Sequence, residues 1–249
     1  MPYVFLGIGV VFLVLFLLTR DKNGSIIATF LKTITSIMFI IVALVSMIDS
    51  GRFINQVILI VIGLIFGMIG DILLDLKVYF KSLHNTYNVS IKDSDYLMYF
   101  GMLSFGIGHI MYITSTYMLS NNLWLYLIIS LISGLLLISL IMIISIKLLK
   151  MNYGKFLIPS IIYGFLLSSF VIFMIFRIID NYSVGNLLLL LGSILFILSD
   201  LVLSMTYFSK EDDYKKECIL NPESRFMISI NHILYYSAQF IIALSILYI

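Results

Sequence analysis

Two aspartates lie inside apolar runs of this 249-residue chain and are its clearest candidates for chemistry. Asp71 interrupts the run Gly63 to Leu76, GLIFGMIGDILLDL, and Asp200 interrupts the run Gly192 to Met205, GSILFILSDLVLSM. An Asp near the centre of a membrane helix costs roughly 2.5–3.5 kcal/mol, so two such residues need a function. Burial disfavours the charged form of a carboxyl group, and an acid beside a carboxylate can perform acid–base catalysis. We predict that these two aspartates form such a pair.

The composition indicates an integral membrane protein. Hydrophobic residues make up 61% of the chain and charged residues 11%, against roughly 45–50% and 25% in soluble domains. A net charge of +2 with scattered basic residues argues against nucleic-acid binding. The single cysteine, Cys218, lies in a polar stretch and cannot form an internal disulfide. We expect the protein in a bacterial cytoplasmic membrane.

Eight runs are long enough to cross a bilayer, which takes about 17–25 residues each. They lie near 3–18, 29–48, 54–76, 97–119, 123–146, 156–179, 184–208 and 227–248. The fold predicted is all-α, a single eight-helix transmembrane domain over residues 1–249. The first, third, fifth and seventh loops and their flanks carry 13 Lys and Arg residues, and the other side carries 2. By the positive-inside rule these four loops are cytoplasmic and both termini lie outside.

This orientation predicts that polar residues from several helices share the depth of the two aspartates. Those in the cytoplasmic half are Lys32, Ser36, Tyr163, Asn231, His232, Tyr235 and Tyr236, and those nearer the midplane are His109, Tyr112 and Gln239. Polar groups gathered at one depth are what a cavity open to the cytoplasmic leaflet requires. Asp75, one turn below Asp71, is expected to be a solvated boundary residue, and Asp93 and Asp95 to lie in a solvated loop.

The two aspartate helices also resemble each other. Gly63 lies eight residues before Asp71, and Gly192 lies eight residues before Asp200. On the next helices, His109 follows Asp71 by 38 residues and Gln239 follows Asp200 by 39. These matches favour a four-plus-four parallel repeat about an axis along the membrane normal, which would bring the two carboxylates face to face. Chance similarity between Leu- and Ile-rich helices is the alternative.

Short motifs follow one another along the chain in a characteristic order. They are Gly70-Asp71-Ile72-Leu73-Leu74, Phe100-Gly101…Phe105…His109…Tyr112, Leu195-Phe196…Ser199-Asp200 and Tyr235-Tyr236…Gln239, with Lys32, Thr35 and Gly154-Lys155…Pro159 as further features. Together they resemble the YhhN family of membrane lysoplasmalogenases from the second to the eighth helix. One departure is Thr33, where the family commonly has proline. The resemblance implies an eight-helix hydrolase that cleaves the vinyl ether bond of lysoplasmalogens, releasing a fatty aldehyde and a glycerophospho-base.

The candidate residues suit that reaction. A proton delivered to carbon creates an oxocarbenium-like species, which water attacks; carboxylate pairs stabilise a similar transition state in glycoside hydrolysis. Asp71 and Asp200 are predicted to be catalytic, with the identity of the acid left open. Lys32 would be a phosphate anchor or a counter-ion to a carboxylate, or would extend to the lipid headgroups. The other residues predicted to bind substrate, or instead to hydrogen-bond within the bundle, are His109, Tyr112, Tyr163, Tyr235, Tyr236 and Gln239.

Partners and alternatives follow from the same residues. The expected substrate is a lysophospholipid such as lysoplasmenylethanolamine or lysoplasmenylcholine, taken from the surrounding membrane lipids. No cofactor or metal is predicted, because the three histidines, His84, His109 and His232, have no ligand-type spacing. A proton-coupled carrier for a small solute or lipid would also use intramembrane acids such as Asp71 and Asp200, and an aspartyl intramembrane protease is a third reading. The oligomeric state stays open.

Overall fold

The computed structural model describes residues 1–20, 24–87, 95–119, 124–209, 221 and 224–249, except for the side chains of residues 85–87. These residues contain α-helices, one 3-10 turn at Gly154–Phe156 and no strand. The helices are α1 Pro2–Thr19, α2 Ile26–Ser50, α3 Asn55–Tyr87, α4 Asp95–Met118, α5 Trp124–Lys147, α6 Leu157–Asp180, α7 Val184–Phe208 and α8 Arg225–Ser245. All eight are long and apolar enough to cross a membrane. The predicted all-α membrane protein is confirmed; Cys218 lies outside the described residues.

Local sequence signals fix several helix ends. Ser25, Ser183 and Ser224 precede α2, α7 and α8, and each side chain accepts a hydrogen bond from a backbone N–H three residues on, at 3.0–3.2 Å. Such serine caps satisfy a donor that the first helical turn leaves free. At the other end of α2, Gly51 takes the left-handed conformation with φ +67°, which glycine adopts without steric cost.

The third helix is longer than the sequence pattern suggests. We predict that it ends near residue 76, but α3 continues to Tyr87. Residues 77–87 contain neither Pro nor Gly, so nothing in the chain stops the helix where the apolar run ends. The expected solvated loop is also wrong at Asp95, which begins α4 and accepts a hydrogen bond from Lys155. Asp93 lies outside the described residues.

Neighbouring helices pack in pairs, α1 with α2, α3 with α4, α5 with α6 and α7 with α8. Contacts of α2 with α3 and of α6 with α7 join the pairs, and α4–α6 and α2–α8 contacts bring the two halves of the chain together. Glycines allow the closest approaches. A Cβ on Gly63 would lie 2.3 Å from the Tyr112 ring, and one on Gly192 would lie 3.2 Å from the carbonyl oxygen of Ala238. Small residues therefore bring α3 against α4 and α7 against α8.

The contact at Gly63 generates a stability prediction. We expect Gly63→Ala to lower the melting temperature of the protein in mild detergent, because the new methyl group overlaps the Tyr112 ring and overpacking costs about 1–3 kcal/mol. Gly7→Ala is the matched control, since a Cβ there has no neighbour within 4 Å. Equal melting temperatures for the two variants would contradict this packing.

Candidate active site

Asp71 is held by three helices. Its carboxylate is 2% exposed and accepts hydrogen bonds from Ser36 on α2 at 2.8 Å and from Tyr235 on α8 at 2.9 Å. The Lys32 ammonium, also on α2, lies 3.6 Å from the second oxygen of Asp71. The Asp71 carboxylate thus has two hydroxyl donors on one oxygen atom and an ammonium group near the other, which is how a buried carboxylate is tolerated.

Asp75 belongs to the same cluster, so the expectation of a solvated boundary residue is wrong. It is 1% exposed, accepts a hydrogen bond from Thr29 at 2.5 Å, and lies 3.3 Å from Arg20 and 3.8 Å from Lys32. One turn of α3 places Asp75 on the face that carries Asp71. Arg20, directly after α1, covers that face and is itself buried. Sequence analysis missed Arg20 by treating it as a loop residue; the four-residue spacing of the aspartates was the available signal.

Asp200 has a simpler environment. Tyr163 on α6 donates a hydrogen bond to its carboxyl group. No described basic side chain lies within ion-pair distance of Asp200, and the residue is half-buried. The Tyr163 ring is fixed in turn against Phe105, with centroids 6.3 Å apart, and against His109, with centroids 5.8 Å apart. The two candidate catalytic carboxyl groups therefore differ in burial, charge and hydrogen bonding.

A chain of hydrogen bonds runs from the middle of the bundle to Asp71. The Tyr112 hydroxyl donates to Gln239 at 3.3 Å, the Gln239 amide donates to the Tyr235 hydroxyl at 2.8 Å, and Tyr235 donates to Asp71. Tyr236 joins the cluster from α8, donating to the backbone carbonyl of Lys32 at 3.2 Å. Tyr112, Tyr236 and Gln239 do not line the cavity described below. Their contacts orient groups that do.

His109 is packed among rings. It is 1% exposed, and its Nδ1 atom lies 2.8 Å from the carbonyl oxygen of Phe105. Phe196 contacts its ring edge-on with centroids 4.7 Å apart, and Phe170 lies on another side at 6.2 Å. The residue is absent from the cavity wall. The structure thus gives His109 the surroundings of a histidine bonded within the bundle.

A cavity of about 530 Å³ connects the two aspartates, a volume typical of ligand sites. Five of the predicted site residues line it, namely Lys32, Asp71, Tyr163, Asp200 and Tyr235. Its polar wall adds the basic residues Arg20, Lys77 and Lys81, and its apolar wall includes Met102, Ile138, Met142 and Leu167. No hydrogen bond joins Asp71 to Asp200: Tyr235 donates to Asp71, and Tyr163 donates to Asp200. The cavity is thus amphipathic, with both carboxyl groups in its wall.

The described residues contain no group of three or more His, Cys, Asp or Glu side chains that could hold a metal ion. The side chains of the cavity wall include four carboxyl groups, four tyrosines and several basic groups, among them Asp71 with its partner Tyr235 and Asp200 with its partner Tyr163.

The fold and the cavity define an integral membrane protein with an intramembrane carboxylate site. The YhhN family model matches residues 27–246, and the chain belongs to the YhhN family. The match extends from the first turn of α2 to the end of α8 and includes every predicted site residue, whereas α1 and Arg20 precede it. No curated protein and no solved structure matches the chain.

Removing a carboxylate charge should destabilise the protein more in the buried cluster than at the surface. Asp75→Asn should destabilise the protein by about 3 kcal/mol or more, because Arg20 loses its carboxylate partner within the bundle. Asp49→Asn is the matched control: its carboxylate pairs with the N-terminal amine at the surface, where a pair contributes only about 0–1 kcal/mol. Unfolding in mild detergent followed by tryptophan fluorescence or circular dichroism measures both changes. Equal small losses would contradict a compensated buried cluster.

Proposed function

We propose that this protein hydrolyses the vinyl ether bond of lysoplasmalogens. The observation that carries the proposal is the amphipathic cavity with Asp71 and Asp200 in its wall. Membership of the YhhN family, whose members are known as lysoplasmalogenase-like hydrolases, supports the same reaction. An enzyme acting on a lysolipid needs an apolar surface for the chain, polar groups for the head, and an acid at the bond between them.

The surroundings of the two aspartates favour different roles. Two hydrogen-bond donors and the Lys32 ammonium stabilise the carboxylate form of Asp71. Asp200 receives one described hydrogen bond, from Tyr163, and no ion pair. We therefore assign Asp200 as the proton donor and Asp71 as the carboxylate that stabilises positive charge and orients water. Two carboxyl groups commonly take different roles when their environments give them different acidities.

The reaction follows from these roles. Asp200 gives its proton to the vinyl carbon that is not bonded to oxygen, and the ether carbon becomes an oxocarbenium ion. Water oriented by Asp71 adds to that carbon and loses a proton to the carboxylate, giving a hemiacetal. Collapse of the hemiacetal breaks its bond to the glycerol oxygen, which takes up the proton held by Asp71, while the hemiacetal hydroxyl releases its proton to solvent as the aldehyde forms. The products are a fatty aldehyde and a glycerophospho-base, and a proton returned from solvent restores Asp200.

The walls of the cavity suit a single-chain lipid. Met102, Ile138, Met142 and Leu167 offer apolar surface to the hydrocarbon chain, and Arg20 and Lys32 lie beside Asp75 in the same cavity wall. Lysoplasmenylethanolamine and lysoplasmenylcholine have this distribution of apolar and charged groups. We propose that such a lysophospholipid enters from the surrounding membrane lipids.

Membrane orientation and internal symmetry belong to the same proposal. The 13-to-2 distribution of basic residues supports extracytoplasmic termini and a cavity facing the cytoplasmic leaflet of a bacterial inner membrane. A four-plus-four repeat is supported by equivalent contacts: Asp71 bonds to α2 and Asp200 to α6, while Gly63 approaches Gly108 and Gly192 approaches Ala238.

The catalytic assignment predicts that Asp71→Asn and Asp200→Asn each abolish aldehyde release while leaving a folded protein. Asparagine keeps the shape of the side chain but neither donates an acidic proton nor carries negative charge. The assay is mass spectrometry of fatty aldehyde after purified protein in mild detergent meets lysoplasmenylethanolamine, with Asp49→Asn as the active control. Near-full turnover by either variant would remove that residue from the mechanism, and no aldehyde from folded wild type would contradict the proposed reaction.

The Tyr163 hydrogen bond predicts a smaller effect. Tyr163→Phe should lower kcat by about 10-fold to 100-fold, because Asp200 becomes a carboxylate as it gives up its proton and a hydrogen bond to a charged group contributes about 1.5–3 kcal/mol. Tyr126→Phe is the control, since that ring stacks on Phe176 away from the cavity wall. An unchanged kcat for Tyr163→Phe would show that Asp200 does not need this partner.

A further inference from the structure

Arg20 is a buried cation with unused hydrogen-bonding capacity in the cavity wall. The residue is 7% exposed and lines the cavity. Its Nη2 atom lies 3.3 Å from Asp75, but its Nε and Nη1 atoms have no hydrogen-bond acceptor. A buried donor without an acceptor costs free energy, and charged donors cost most. Such a group is expected to meet an acceptor when the cavity is filled.

Lys32, the phosphate anchor considered from the sequence, is engaged elsewhere. Its ammonium lies within 4.0 Å of two carboxylates, 3.6 Å from Asp71 and 3.8 Å from Asp75. It therefore serves as the shared counter-ion of the two aspartates. Arg20 pairs with Asp75 and with neither Asp71 nor Asp200, and two of its three nitrogen atoms lack an acceptor.

We propose that Arg20 binds the phosphate of the lysophospholipid headgroup. This inference rests on the proposed function and adds to it the residue that recognises the headgroup. A guanidinium presents donors in a planar fork that matches two oxygen atoms of a phosphate group. The Nε and Nη1 atoms are enclosed as the wall stands, so Arg20 meets the phosphate by turning its guanidinium toward the cavity while Nη2 keeps the ion pair with Asp75.

The spacing along α3 fits the substrate. Asp75, the partner of Arg20, lies one helical turn, about 5.4 Å, from Asp71. In a lysoplasmalogen, roughly five covalent bonds, on the order of 6 Å when extended, separate the phosphorus from the vinyl ether oxygen. A phosphate at Arg20 therefore leaves the ether group near the level of Asp71, where the proposed reaction occurs.

The charge of the cavity wall favours an anion. Its described basic side chains are Arg20, Lys32, Lys77 and Lys81, and its carboxyl groups are Asp71, Asp75, Asp95 and Asp200. With Asp200 in the acid form that the mechanism requires, the wall has one excess positive charge. The phosphodiester carries one negative charge that pairs favourably with this wall, while the headgroup ammonium keeps the whole lysolipid neutral.

Lys77 is the competing anchor, but its ammonium has several neighbours. It lies 3.8 Å from Asp95, 2.9 Å from the sulfur of Met98, and over the rings of Phe156 at 4.9 Å and Tyr207 at 5.2 Å. These contacts hold Lys77 against the start of α4. Arg20 combines deeper burial with unpaired donors and is the stronger candidate.

The test measures binding rather than hydrolysis. The probes are a 1-O-alkyl lysophosphatidylethanolamine, whose saturated ether cannot react by the proposed route, and the phosphate-free 1-O-alkylglycerol with the same chain. We expect wild type to bind the phospholipid more tightly than the glycerol. Arg20→Gln should weaken phospholipid binding by about 10-fold to 100-fold and leave 1-O-alkylglycerol binding unchanged. Arg225→Gln is the matched control, since Arg225 donates to the carbonyl of Leu18 and lies outside this cavity.

A second variant keeps the test independent of folding. Arg20→Gln with Asp75→Asn removes both partners of the ion pair, leaves no unpaired charge between them, and should show the same selective loss. The assignment would be overturned if both folded variants still bound the phospholipid more tightly than the glycerol. It would also be overturned if Lys77→Gln, and not these variants, lost that difference. Binding of sodium phosphate is measured in the same way. If Arg20 bound free phosphate more tightly than the lysolipid, the assignment of a lysolipid headgroup site would also be overturned. Because the alkyl ether is not hydrolysed, these results stand whether or not aldehyde is released from a vinyl ether.

Discussion

The structure depends on compensating two carboxylates that α3 carries into the membrane interior. Asp71 and Asp75 share Lys32, and Arg20 completes the cluster at the end of α1. Thr29, Ser36 and Tyr235 satisfy carboxylate oxygens from α2 and α8. The helices α1, α2, α3 and α8 must therefore be in place before the charges of α3 are compensated. Removing one charged side chain leaves its partner as an unpaired buried ion, which destabilises the protein.

The second aspartate gives the cavity its asymmetry. Asp71 lies in a network of charged and polar groups, whereas Asp200 faces the same cavity with Tyr163 as its hydrogen-bond partner. One carboxyl group with several polar and charged partners beside another with a single described hydrogen-bond donor is an arrangement that supports acid and carboxylate roles side by side. The aromatic cluster of Phe105, His109 and Phe196 keeps the tyrosines of both sites fixed.

Sequence reasoning predicts the eight helices and the family because their signals are local. Long apolar runs define the helices, and Asp71 and Asp200 stand out against hydrocarbon-like surroundings. It fails for Asp75 and Arg20, since their burial depends on a contact between the residue that follows α1 and a side chain of α3. The sequence also does not distinguish the residues that line the cavity from the residues that lie behind them. Tyr163 and Tyr235 reach the cavity wall, while Tyr112 and Gln239 support them, and only side-chain directions across helices distinguish the two groups.

The central claim is that a carboxylic acid in this cavity protonates carbon. Hydrolysis of lysoplasmenylethanolamine in D₂O, with immediate chemical reduction of the released aldehyde, tests it most directly by mass spectrometry. Because an aspartic acid proton exchanges with solvent, the account predicts one deuterium on the carbon next to the former aldehyde carbon. Fatty product formed by the enzyme without solvent deuterium at that carbon would contradict the account.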